Sequence, residues 1–142
     1  MSTTWMLIED EPDLYDMILA MYDMLGVEGV AFATGRDAMD WIANVEHGLD
    51  NVIPELALVD IRLPDETIDG VHIASQLRKS KLLGNIAICM ITAYKFSEDD
   101  RQAIMRESGA DDLLYKPLPK LKELDTILRG LIAKRHPSKP ID

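Results

Sequence analysis

The chain has 142 residues, with 15 Lys and Arg against 25 Asp and Glu, a formal net charge of −10 and a pI of about 4.6. That length suits one domain with its own core, and the acidity argues against a duplex-binding surface built on clustered cations. A single cysteine, Cys89, excludes an internal disulfide framework, and no apolar run is long enough to span a bilayer.

The first apolar run, Trp5 to Ile8, reads as a strand and stops at Glu9-Asp10. Pro12 suits the first turn of a helix, and Asp10, just before Glu11-Pro12, is a candidate cap for it. Leu14, Met17, Ile18, Met21 and Leu25 mark one face of that helix, and Gly26 reads as its stop. A second run, Val30 to Ala33, ends blandly at Thr34-Gly35. Thr34 is placed to cap a helix that turns Ala38, Trp41, Ile42 and Val45 inward. The third run, Leu56 to Val59, stops at Asp60, and a third helix opens near Gly70 with Ile73, Ala74 and Leu77 inside. The fourth run, Ile86 to Ile91, contains Cys89, read as a small buried hydrophobe, and stops at Thr92. Ser97 is the expected cap of the fourth helix, with Glu98, Asp99 and Asp100 at its positive end. Its apolar positions are few, chiefly Ala103 and Ile104, so it is expected to be the loosest element. Leu113 to Tyr115 forms a fifth run ending at Lys116-Pro117. The last helix carries Leu121, Leu124, Ile127, Leu128, Leu131 and Ile132.

Strands alternating with helices predict an α/β domain, a doubly wound parallel sheet covered on both faces. The carboxyl ends of parallel strands share one edge, where such sheets place their ligands. Glu9, Asp10, Asp60, Thr92 and Lys116 would converge there. His47, His72 and His136 show no metal-ligand spacing. The basic residues from Lys116 onward read mainly as the solvated face of the last helix, so no direct nucleic-acid partner and no membrane partner is expected. No secretory signal is visible at the start, and a cytoplasmic location is the expectation.

Ile8-Glu9-Asp10-Glu11-Pro12 resembles the acidic pair of response-regulator receiver domains. Leu58-Val59-Asp60-Ile61-Arg62-Leu63-Pro64 resembles their phosphoacceptor strand and the loop after it. Asp69-Gly70 is similar to the pair that opens their third helix, Ile91-Thr92-Ala93 to their switch threonine, and Gly109-Ala110-Asp111-Asp112 with Lys116-Pro117 to their last-strand signature. The resemblance implies a flavodoxin-like fold of five helices around a five-stranded parallel sheet in order 2-1-3-4-5. The resemblance runs from about Trp5 to Arg135, so a receiver domain is expected over 1–135, and residues 136–142 read as a frayed C-terminal tail. It also implies a cis bond before Pro117.

The resemblance further implies a phosphoacceptor switch in a two-component phosphorelay. Asp60 is the nucleophile, phosphorylated by a histidine kinase or phosphotransfer protein, with slow self-catalysed hydrolysis. Output passes through contact with a downstream protein or through a homodimer. Mg²⁺ would be held by Asp10, Asp60, the backbone carbonyl of Arg62 and, through water, Glu9. Neutralising charge on the transferred oxygens is what phosphoryl transfer needs, and oxygen ligands suit this ion. Lys116 and Thr92 would contact the phosphoryl oxygens. No general base is expected, since a carboxylate is ordinarily ionised at neutral pH.

Three departures from the family pattern bear on this reading. The segment Asp65 to Asp69 is about two residues longer than the usual loop. Leu113 stands where the family usually has an aromatic residue, with Tyr115 on the same strand face. Arg62 and Tyr94 are bulky at positions that flank the acyl phosphate. The alternative function is a phosphorylation-independent interaction module on the same fold. A haloacid-dehalogenase-type hydrolase would have a second aspartate where Arg62 stands. A flavodoxin-like electron carrier would need a phosphate loop where Glu9-Asp10-Glu11 would repel the phosphate.

Overall fold

Ten elements alternate without exception in the computed structural model, which describes residues 3–63 and 68–136. They are β1 (Thr4–Ile8), α1 (Pro12–Met24), β2 (Glu28–Phe32), α2 (Gly35–Glu46), β3 (Leu56–Asp60), α3 (Gly70–Lys79), β4 (Ala87–Thr92), α4 (Glu98–Ser108), β5 (Asp112–Tyr115) and α5 (Leu121–Arg135). All pairings are parallel, in the order β2-β1-β3-β4-β5. Of the expected tail, only His136 lies among the described residues.

The central strands are apolar throughout because helices cover both faces of the sheet. On one side Met6, Ile8, Ala57, Val59, Ile88, Met90 and Leu113 pack with α2 and α3. On the other, Trp5, Leu7, Leu56, Leu58, Ala87, Cys89 and Ile91 pack with α1 and α5. Cys89 is fully buried as expected, and burial pushes its thiol pKa up, so it acts as a hydrophobe.

Three local expectations are corrected. The cap of α1 is Glu11, not Asp10: its carboxylate accepts from Asp13 N at 3.1 Å and Leu14 N at 2.7 Å. Pro12 already occupies the first helical position, so the cap falls one residue later than Asp10 and leaves that carboxylate free. The inward face of α1 is also rotated. Met17 is 47% exposed, whereas Tyr22 is buried. The Tyr22 hydroxyl donates to Met6 O at 3.1 Å, and its ring meets Trp5 edge-on at 5.4 Å, so a polar tip is satisfied inside an apolar layer. The edge strand β2 starts at Glu28 rather than Val30, because pairing with Thr4 and Trp5 reaches Glu28 and Gly29 on the half-solvated edge.

Helices α2 and α4 are capped where expected, and α5 begins without a side-chain cap. Thr34 accepts from Asp37 N and Ser97 from Asp100 N, both at 3.1 Å. Asp69 caps α3 by accepting from His72 N at 2.9 Å. Gly109 ends α4 in the left-handed region at φ 71°, which glycine adopts without steric cost. Helix α4 buries only Ser108.

At the amino edge of the sheet a guanidinium ties the layers together. Arg78 donates to Gly109 O at 2.8 Å, to Gly84 O at 3.1 Å, to Ile86 O, and to Asp111 Oδ2 at 2.7 Å. Asp111 also accepts from Ile88 N at 2.8 Å and from Arg135 Nε at 2.9 Å. One carboxylate thus links α3, β4 and α5.

Candidate functional site

The strand register places the site. Ile8 pairs with Val59, Asp60 with Ile91, and Thr92 with Tyr115. Glu9 is the first residue past β1, Asp60 and Thr92 end β3 and β4, and Lys116 follows β5. All four therefore lie at one height on the carboxyl edge. One carboxylate oxygen each from Glu9, Asp10 and Asp60 lies within 4.8 Å of the others. Lys116 Nζ stands 2.8 Å from Glu9 Oε1 and 3.1 Å from Asp60 Oδ2. The Lys116–Pro117 bond is cis, as expected. Asp60, Arg62, Thr92, Ala93, Tyr94 and Lys116 line a pocket of about 240 Å³.

Backbone donors set the carboxylates. Glu11 N donates to Glu9 Oε2 at 3.1 Å, so the residue that caps α1 also holds Glu9. Arg62 N donates to Asp60 Oδ1 at 3.2 Å. Thr92 is buried, and its hydroxyl accepts from Tyr94 N at 3.1 Å. Under Asp60 the packing is tight: a Cβ added at Gly70 would lie 2.1 Å from the Asp60 carbonyl oxygen. Only glycine allows α3 to begin so close to the phosphoacceptor candidate. Gly70→Ala is expected to destabilise the fold by about 1–3 kcal/mol through overpacking, read as a lower urea midpoint. An unchanged midpoint would mean that the loop yields freely.

The charges are strongly coupled. Burial pushes the Asp60 carboxyl up, its hydrogen bond with Glu9 and the charge of Glu9 push further, and Lys116 opposes both; the result is about 7. Burial also raises Glu9, but the neighbouring Asp60 and the Lys116 ammonium outweigh it, leaving Glu9 below its usual range. Asp10 is raised, by burial first and then by Glu9 despite an opposing backbone hydrogen bond. Burial lowers Lys116, but the two carboxylates more than offset this and raise it. So Asp60 is not freely ionised at neutral pH in the cation-free site, contrary to the sequence expectation. One ammonium is too little positive charge for three neighbouring carboxylates.

The residues present fit a divalent cation. Glu9 Oε1 is buried without an aligned hydrogen-bond donor, although the Lys116 ammonium is close. The donor set is three hard oxygens, the kind Mg²⁺ prefers.

Two features escaped the sequence reading. The Arg62 guanidinium lies over the Tyr94 ring, 4.5 Å from its centre, and both residues line the pocket. The double duty of Glu11 was also missed, though Pro12 was the available signal. Leu113 is buried and shares the α2–α3 side of the sheet with half-buried Tyr115, as the strand alternation predicted. Of the longer loop, residues 64–67 lie outside the described residues; Ile68 packs against the α2–α3 core.

A family model, the response regulator receiver domain, matches residues 6–129. The chain belongs to that family. Receiver domains are phosphoacceptor switches of two-component signalling and interact with histidine kinases or phosphotransfer proteins. This receiver domain is 31% identical over 131 residues to a probable transcriptional regulatory protein of Picosynechococcus sp., covering 92% of the chain and 49% of the relative. It is 28% identical over 134 residues to the phosphate regulon transcriptional regulatory protein PhoB of Pseudomonas aeruginosa, covering 94% and 53%. The chain spans about half the length of the curated relatives it matches. Among solved structures it matches the receiver domain of a sensor histidine kinase from Pseudomonas aeruginosa, with TM-score 0.75 and 28% identity over 94% of this chain and 99% of that one. That structure has a magnesium ion coordinated in its active-site cleft. No helix among the described residues is long and apolar enough to cross a membrane.

Proposed function

We propose that this receiver domain accepts a phosphoryl group on Asp60 from a histidine kinase or phosphotransfer protein in the cytoplasm, and signals through contact with a downstream protein or through dimerisation. The observation that carries this reading is the convergence of Glu9, Asp10 and Asp60 with Lys116 at the carboxyl edge. A carboxylate oxygen of Asp60 attacks phosphorus; the P–N bond of the donor phosphohistidine breaks, and the imidazole nitrogen takes a proton from solvent. Asp10, Asp60 and the Arg62 carbonyl, with Glu9 through water, would hold Mg²⁺, which supplies neutralisation of charge on the transferring oxygens. Lys116 pairs with one phosphoryl oxygen, and the Thr92 hydroxyl donates to another. The acyl phosphate then hydrolyses slowly.

Intact mass after exposure to acetyl phosphate and Mg²⁺ tests the reading. One phosphoryl adduct is expected, lost in Asp60→Asn and lost without the cation. No adduct, together with no beryllofluoride binding, would leave a phosphorylation-independent module. The Arg62–Tyr94 pair lines the pocket beside Asp60, so replacing both by alanine should admit water and shorten the phosphoryl lifetime several-fold. An unchanged lifetime rejects shielding.

A further inference from the structure

A single peptide unit lies between the start of α3 and the Asp60 carboxylate. Its carbonyl, that of Ile61, accepts from Gly70 N at 2.9 Å. Its amide, that of Arg62, donates to Asp60 Oδ1 at 3.2 Å. Such a unit is planar and stiff, so any displacement of Gly70 tilts the donor that orients the carboxylate. Two residues before Gly70, Ile68 rests on Gly35, the buried first residue of α2. A Cβ added at Gly35 would lie 2.6 Å from Ile68 Cγ2 and 2.7 Å from Ile68 O. Both the side chain and the backbone of Ile68 therefore need the bare Cα of Gly35, at a helical position where alanine is otherwise preferred. Between them, Asp69 caps α3 through His72 N at 2.9 Å. Three consecutive residues are thus fixed against α2, α3 and β3 in turn.

We propose that Ile68, seated on Gly35, is a positioning residue for Asp60, acting through Gly70 and the Ile61–Arg62 peptide. This inference rests on the phosphoacceptor reading above. The connection between β3 and α3 spans residues 61–69, longer than the usual family loop. Chain length alone therefore holds the start of α3 less firmly, and the contact across to α2 supplies the missing constraint. The orientation of the carboxylate matters because its two oxygens have different tasks. The Arg62 amide holds Oδ1, which leaves Oδ2 facing the Lys116 ammonium at 3.1 Å. Cation binding and in-line attack both need those oxygens in fixed places. Gly70 already meets the Asp60 carbonyl with no space to spare, so the seat on Gly35 controls how firmly α3 presses on β3.

The test reads three quantities on the whole chain: the NMR signal of the Arg62 amide, the Mg²⁺ dissociation constant by calorimetry, and the rate of adduct formation with acetyl phosphate by intact mass. In Ile68→Ala the Arg62 signal should move, Mg²⁺ should bind several-fold more weakly, and the adduct should form several-fold more slowly. Ile68→Val keeps Cβ and Cγ2, the side-chain atoms nearest Gly35, and should return all three toward the wild type. Gly84→Ala controls for general destabilisation. A Cβ there would lie 2.6 Å from Ser80 O, at the opposite edge of the sheet, so stability should fall while the three quantities stay unchanged. An unmoved Arg62 signal or an unchanged Mg²⁺ affinity in Ile68→Ala overturns the proposal. An equal loss in Ile68→Val or in Gly84→Ala overturns it as well, since the cause would not be the seat on Gly35. A wild type that neither binds Mg²⁺ nor forms the adduct removes the phosphoacceptor reading and this proposal with it.

Discussion

Asp60→Asn is expected to make the cation-free protein more stable than the wild type at pH 8, by about 2 kcal/mol. In the unfolded chain Asp60 ionises near the ordinary 3.8, whereas in the fold it holds its proton up to about 7. Below about pH 4 both states are protonated and nothing is lost. As pH rises from there the unfolded chain gives up its proton and the folded one keeps it, so stability falls, and the fall ends once the folded group also ionises. Three units at about 1.4 kcal/mol each set a ceiling near 4 kcal/mol. The lowered pKa of Glu9 works in the opposite direction and offsets part of it. Asparagine removes the charge and leaves Lys116 to Glu9. Urea unfolding at pH 4 and pH 8 checks this: the advantage of the variant should appear only at pH 8. Millimolar Mg²⁺ should raise the wild-type Tm and cancel that advantage, since only the wild type offers the full carboxylate set. Equal stability at pH 8, or a wild type indifferent to Mg²⁺, would mean that the three carboxylates do not share a field.

Arg78→Ala is expected to cost about 3 kcal/mol, near 10 °C in Tm. The change strands the carbonyls of Gly109, Gly84 and Ile86 and takes one of two cations from Asp111. Arg78→Lys should rescue little, because an ammonium cannot reproduce a fork that reaches four acceptors. Thermal melts of both variants decide it; full rescue by lysine would show that charge, not geometry, matters here. The phosphoryl adduct should survive in Arg78→Lys, since the clamp lies at the opposite edge from Asp60.

The alternation of apolar runs and helical spacing carried the α/β class and the parallel sheet covered on both faces, whereas the strand order came from the resemblance to receiver domains, since periodicity does not say which strands are neighbours. Asp60 was readable because an uninterrupted apolar strand ended on a charge. Lys116 and Thr92 were readable only in company with it, through their common place at strand ends. What escaped was set by three-dimensional rotation. The α1 face turns toward Tyr22 rather than Met17 because Trp5 offers an edge for its ring and Met6 an acceptor for its hydroxyl, neither visible in spacing along the helix. Nothing in the sequence set Arg78 apart; its acceptors come from the loop before β4 and the loop before β5, up to 33 residues away. The pKa of Asp60 depends on how closely Glu9 approaches, a distance that no motif encodes.

Helix α4 puts a single side chain, Ser108, fully out of solvent, while β1 and β3 are buried along their whole lengths. In hydrogen exchange its amides should trade with solvent far ahead of the strand amides, because detaching it exposes little apolar surface. Its docked and undocked arrangements then differ by a small free energy. A chemical change of one group at the carboxyl edge is enough to redistribute such a population, without loosening the strands that hold the group in place.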